Sequence, residues 1–185
     1  DILRCHREAL GGVHRQKSRT RKRRQVTALT LCAAILLASN SGELPLKHSQ
    51  RKTACRVAST IITESEKAGV DPFILAGLIY EESRFSRKAK SRAGACGLTQ
   101  VLPVYAKVSC SELFDSRTSI RTGLSMLNRW RRYAKGDLRE ALSCYNAGTA
   151  CSENTRARWY ANRVILTASK YRKIVASLEE SLSQR

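Results

Sequence analysis

One glutamate stands where its neighbours are apolar. Asp71-Pro72 reads as a helix start, an N-cap carboxylate with proline at the first helical position, and the helix runs from there to about residue 85. At roughly 100° per residue, with Ile74 as zero, Leu78 falls at about 40°, Leu75 at about 100°, Ile79 at about 140° and Phe85 at about 20°. Glu82 falls at about 80°, near the middle of this apolar face, and Glu81 at about −20°, on its edge. A carboxylate turned inward is poorly solvated, so its pKa rises and it keeps its proton near neutrality. In a cleft such a group is a general acid. In a sealed core it is a glutamate satisfied by an arginine or a backbone amide. Periodicity leaves both readings open.

Other reactive side chains point to less. His6, His14 and His48 all lie outside residues 51–185 and no C-x-x-C occurs, so neither a metal site nor a cofactor is expected. Of seven cysteines, Cys5 and Cys32 fall in the first 50 residues, leaving Cys55, Cys96, Cys110, Cys144 and Cys151, an odd number. If the chain is exported, disulfides are permitted. Cys144 and Cys151 can close a short loop, and Cys96 with Cys110 is a second pairing. Four cysteines allow three connectivities, and free buried thiols are the alternative.

The elements that must position Glu82 read as helices. A first helix spans 56–68 and ends at Gly69; the Asp71 helix follows. Small residues over 91–97 mark a loop, and 98–107 reads as a short helix despite Pro103. Ile120, Leu124, Leu127 and Trp130 form a helical stripe within 119–134, which Gly136-Asp137 breaks. Helices over 138–145 and 158–177 flank the turn Asn146-Ala147-Gly148. No alternating strand pattern of useful length and no repeat is present, so the fold class is mainly α.

The first 50 residues differ in character. Residues 15–24 are a basic run, 26–39 carry no charge, and Asn40-Ser41-Gly42 follow. This order predicts a basic N-terminal segment (1–50) holding a short hydrophobic secretory signal or inner-membrane anchor (26–39), ahead of a helical domain at 51–185. A buried core helix is the alternative. The chain carries 34 Lys+Arg against 15 Asp+Glu, a net charge of +19. Ten basic and three acidic residues fall in 1–50, so both parts are basic. That balance favours polyanions such as an anionic surface, a cell-wall polymer or nucleic acid. Aromatic residues are only 6%, too sparse for the base-stacking of a nucleic-acid binder, so no specific nucleic acid is expected.

Several segments resemble one family in order. Glu82-Ser83-Arg84-Phe85 resembles the ES-x-F signature of lytic transglycosylases of the soluble type. Ser91 with Gly94-Ala95-Cys96-Gly97-Leu98-Thr99-Gln100 and Pro103 resembles S-x-x-G-A-x-G-L-M-Q, and Tyr145-Asn146-Ala147-Gly148 resembles A-Y-N-A-G. Leu113-Phe114-Asp115, Ile120 with Gly123, Gly136-Asp137-Leu138 with Ala141-Leu142, and Tyr160 with Val164 resemble the family's intervening and closing motifs. The resemblance runs from about 53 to 171. Thr99 stands for the family's Met, Cys144 for Ala and Ser119 for Asn, and no proline follows Asp115. The Thr and the extra cysteines look like phage- or conjugation-associated members.

The resemblance implies a lysozyme-like helical fold that cleaves the β-1,4 bond between N-acetylmuramic acid and N-acetylglucosamine in peptidoglycan. Glu82 would protonate the leaving oxygen and then, as base, activate the muramyl C6 hydroxyl, giving a 1,6-anhydro product without water. Ser83 and Gln100 would lie beside the acid and contact sugar groups, Tyr145 and Asn146 would line the cleft, and Tyr160 would orient Glu82 or hydrogen-bond near it, all five binding substrate. Partners would be glycan strands and anionic envelope polymers, with inner-membrane association through 26–39. The place of action would be the cell envelope, virion- or secretion-associated forms included. A goose-type-lysozyme-like muramidase and a non-catalytic wall-binding module are the competing readings.

Overall fold

The computed structural model describes residues 26–184, so the basic run at 15–24 lies outside the described residues. Within them the chain forms α1 (Ala28–Asn40), α2 (His48–Ala68), α3 (Pro72–Ser83), α4 (Pro103–Ala106), α5 (Cys110–Leu113), α6 (Ser116–Tyr133), α7 (Leu138–Ala147) and α8 (Thr155–Ser183). A single 3-10 turn, Gly148–Ala150, sits between α7 and α8. The only extended pairings among the described residues are the isolated bridges Lys90–Cys96 and Cys96–Val101. The architecture is mainly helical, as the patterning predicts.

Caps explain most helix starts. Asp71 accepts from the Phe73 amide at 2.8 Å with Pro72 behind it. Asp115, Asp137 and Asn154 accept from the amides of Thr118, Glu140 and Ala157, opening α6, α7 and α8. Each satisfies a helical N–H that has no partner within its helix. Gly69 closes α2 in the left-handed conformation, at φ 62°.

Helix α3 is the axis of the body. Every residue from Phe73 to Tyr80 is buried, so the helix is enclosed all round rather than on one face. It packs on α8 and α2, while α7 packs on α6 and α8. The α3–α8 approach is close. A Cβ on Gly77 would lie 2.7 Å from the Val164 carbonyl oxygen, so only glycine permits the contact.

One stretch takes the alternative form, a buried core helix, and one expectation is corrected. The apolar stretch 26–39, read as a signal or anchor, forms α1 and packs against α2 and α8. Leu31, Ala34, Ile35 and Ala38 are wholly enclosed, and Cys32 is bonded to Cys55 of α2. An uncharged run has the same composition whether lipid or protein covers it, and here protein does. No helix among the described residues is long and apolar enough to cross a membrane. The division placed after residue 50 falls inside α2. Second, 98–107 is not one helix. Gln100 takes a left-handed backbone (φ 49°) and Val101 bridges to Cys96, so helix begins only at Pro103.

Candidate active site

The last turn of α3 carries Glu81, Glu82 and Ser83 to the edge of a groove. The helix stops there because Arg84 and Phe85 both take left-handed conformations, at φ 48° and 59°. Left-handed backbone at non-glycine residues costs roughly 1–2 kcal/mol each. Complete burial of the Phe85 ring offsets that cost and fixes the turn.

Glu82 is half-buried at this helix end. The Tyr160 hydroxyl on α8 donates to its Oε1 at 2.5 Å. Burial pushes the carboxyl up to about 7, against the Tyr160 hydrogen bond that favours the carboxylate, and the nearby charge of Glu81 adds to the rise. The C-terminal end of α3, where the helix dipole is negative, disfavours the anion further. Glu82 is thus poised to give a proton near neutrality and take one back.

Glu81, on the edge of the wheel, is held on α8. Arg163 Nε lies 2.8 Å from its Oε2, and Thr167 Oγ1 donates to its Oε1 at 2.9 Å. Its side chain is 8% exposed, so the pairing supplies what water would. Tyr160, Arg163 and Thr167 stand three and four residues apart, on one face of α8. That face grips both carboxylates.

The loop after Cys96 supplies the groove's floor, and three successive carbonyls in it accept from candidate residues. Gln100 Nε2 donates to Gly97 O at 2.9 Å and to Ala89 O at 3.1 Å. Ser83 Oγ donates to Leu98 O at 2.8 Å, and Tyr145 donates to Thr99 O at 2.8 Å. Burial pushes the Tyr145 phenol well above its usual range. These donors are therefore engaged with the loop. Asn146 is exposed and lines the groove, and its side chain makes no hydrogen bond among the described residues.

The loop is locked from behind by two of the departures from the family pattern. Thr99 Oγ1 donates to Ser119 O at 2.8 Å, and the Thr99 amide reaches Ser119 Oγ at 3.2 Å, both residues wholly buried. Room for Thr99 comes from Gly123, where a Cβ would stand 2.6 Å from its side chain. Cys96–Cys110 ties the loop to α5, and Cys144–Cys151 closes the turn after α7. The odd cysteine is resolved by Cys32, paired with Cys55.

The groove consists of two cavities of about 800 and 810 Å³, which share Glu82, Ser91 and Gln100. The geometry brings Glu82, Ser83, Gln100, Tyr145 and Asn146 to the groove, with Tyr160 buried behind the acid. Sequence reasoning missed Arg163 and Thr167. A signal existed in their spacing from Tyr160, but not in what they would face. Among the described residues no three His, Cys, Asp or Glu side chains converge as a metal site.

Comparison with known proteins gives a consistent picture. Residues 59–165 match the family described as the Transglycosylase SLT domain. A transglycosylase of Enterobacteria phage PRD1 is 34% identical over 92 residues, covering 49% of this chain and 34% of that protein. An inactive mutant of the lytic transglycosylase Slt from Pseudomonas aeruginosa superposes with a TM-score of 0.58 at 20% identity, over 80% of this chain and 31% of that one. The 70 kDa soluble lytic transglycosylase of Escherichia coli superposes with a TM-score of 0.59 at 17% identity, over 81% and 31%. The chain therefore spans about a third of the length of these relatives and shares the fold of the two solved enzymes.

Proposed function

Since the chain belongs to the Transglycosylase SLT domain family, we propose that it is a peptidoglycan lytic transglycosylase with Glu82 as its acid and base. The observation that carries this reading is a single carboxyl, pushed up to about 7, on a groove open to either side of it. Glu82 protonates the oxygen leaving C1 of the muramyl residue. The same carboxylate then takes the proton from the muramyl C6 hydroxyl as that oxygen bonds to C1, closing the 1,6-anhydro ring. The proton taken equals the proton given, so one carboxyl suffices where most glycosidases need two. Glu81 does not supply a second, being held on α8 by Arg163 and Thr167. Tyr160 holds Glu82 in place and disperses its charge after transfer. Ser83, Gln100 and Tyr145 shape the loop beneath the sugars, and Asn146 offers its amide to them. The substrate places the chain's action at the cell envelope, and the phage relative favours a virion-associated role there.

The test is mass spectrometry of a peptidoglycan digest made with the full chain. Anhydro-muropeptides are expected. Reducing-end muramyl products, heavier by one water, would assign the hydrolytic muramidase instead. Glu82→Gln is expected to lower the rate at least 1,000-fold, an order reasonable for loss of a general acid. A variant as active as the native chain would remove Glu82 from the reaction, and a native chain that releases no muropeptide would leave only a wall-binding module.

A further inference from the structure

Glu82 has an acidic neighbour that the reaction above does not use. Glu81 precedes it on the last turn of α3 and lines the same groove, with a side chain only 8% exposed. A second enclosed carboxylate is a liability where one carboxyl does the chemistry. Two such groups in reach of each other repel as anions or share a proton, and neither then titrates alone.

The fold answers from α8. Arg163 Nε lies 2.8 Å from Glu81 Oε2 and Thr167 Oγ1 donates to Oε1 at 2.9 Å, so both oxygens are turned onto that helix. Arg163 is itself held. Its guanidinium lies over the Trp159 ring, 4.7 Å from the centroid, and this ring, 60% exposed, covers one face of the cation. Trp159, Arg163 and Thr167 are spaced by four, one ridge of α8 beside Tyr160. The other charged and titratable groups around the acid have no part in this. Burial holds the protons of Tyr160 on α8 and Tyr145 on α7, which face Glu82. Arg129 of α6 lines one cavity, Arg84, Arg87, Lys88 and Lys90 line the other, and α2 brings no charge to either. Among the described residues none of these cations forms an ion pair with Glu81.

We infer that Arg163, steadied by Trp159, is a positioning residue for the reaction: it pins the Glu81 carboxylate to α8 and leaves Glu82 as the one carboxyl that meets the substrate. The inference rests on the lytic reading above. Arg163 does this through Glu81, by charge and by orientation, without touching the sugars. A groove with two acids on one helix turn thereby works as a groove with one.

The test is the pH profile of kcat/KM for peptidoglycan digestion by the full chain. Glu82 must hold its proton to act as acid, so its ionisation sets the alkaline limb. Arg163→Gln leaves the Glu81 charge unmatched, which disfavours the Glu82 anion, and is expected to move that limb up by about half a pH unit. Glu81→Gln removes the charge and is expected to move the limb down. The double variant should return close to the native limb. Opposite shifts that cancel mark a charge pair, whereas a purely structural role lowers the rate and the Tm without moving the limb. Trp159→Leu, at an exposed position, is expected to move the limb up by less than Arg163→Gln, and it carries the test if Arg163→Gln does not fold. A limb that stays in place in whichever of these two variants folds would overturn the inference. So would shifts of the same sign in Arg163→Gln and Glu81→Gln, or a double variant that keeps the full shift of Arg163→Gln. Failure of the lytic reading shows separately, in the products of the native chain's digest.

Discussion

Two tyrosines face the acid, and only one hydrogen-bonds to it. Tyr160 donates to Glu82, whereas Tyr145 spends its proton on Thr99 O. With a single donor, burial outweighs hydrogen bonding and the carboxyl stays near 7. A second donor would favour the anion and draw the pKa back down. The Thr99–Ser119 lock acts here through Tyr145, by holding in place the carbonyl that Tyr145 needs. Tyr160→Phe removes the bond that favours the carboxylate, so the pKa of Glu82 rises further and its proton persists to higher pH. The alkaline limb of the kcat/KM profile is expected to move up by about one pH unit, the order of a hydrogen bond to a charged group. The plateau rate is expected to fall about tenfold as the carboxyl loses its orientation. An alkaline limb that stays in place would show that Tyr160 does not act on this proton.

At the scale of elements, α8 holds the acids of α3 in place, and α1 supports α8 from behind. Helix α8 grips Glu81 and Glu82 through one face, and α1 packs against α8 and α2. The Cys32–Cys55 bond ties α1 to α2 across 23 residues of chain. A loop of that length supports about 3 kcal/mol of stabilisation. Cys32→Ala with Cys55→Ala is therefore expected to lower Tm by roughly 5–10 °C, read by differential scanning calorimetry. An unchanged Tm would mean that α1 is not part of the folding unit. The same packing predicts that a chain starting at residue 51 loses the cover of Leu31, Ala34, Ile35 and Ala38 and is poorly stable.

For the molecule as a whole, the acid's poise has a cost that depends on pH. Folding raises the Glu82 carboxyl from 4.5 to about 7, so between those values the folded chain keeps a proton that the unfolded chain has released. Raising pH therefore costs the folded state. The contribution is fully present below about 4.5 and is lost as pH passes about 7. Glu82→Gln has no such proton. The unfolding free energy of the variant is expected to gain on the native chain by on the order of 2 kcal/mol from pH 4.5 to 8. Denaturant titrations at several pH values measure this, and parallel curves would place Glu82 in water-like surroundings. The net charge of +19 has a different reach. A charge of that sign favours polyanions over distances that salt can screen.

The sequence alone determined what is local. Helical periodicity set Glu82 among apolar neighbours, and Asp71-Pro72 marked where α3 begins, because a cap or a turn involves residues within four of each other. The motif order carried the family. Tertiary structure decided what joins distant residues. It packed α1 on α2 and α8, and it gave Cys32 to Cys55. It also placed Arg163 and Thr167 against Glu81, 82 and 86 residues away, and turned the donors of Ser83, Gln100 and Tyr145 onto backbone carbonyls. Residue type states what a side chain can bond. Which partner it meets depends on how the helices pack, and no local pattern records that.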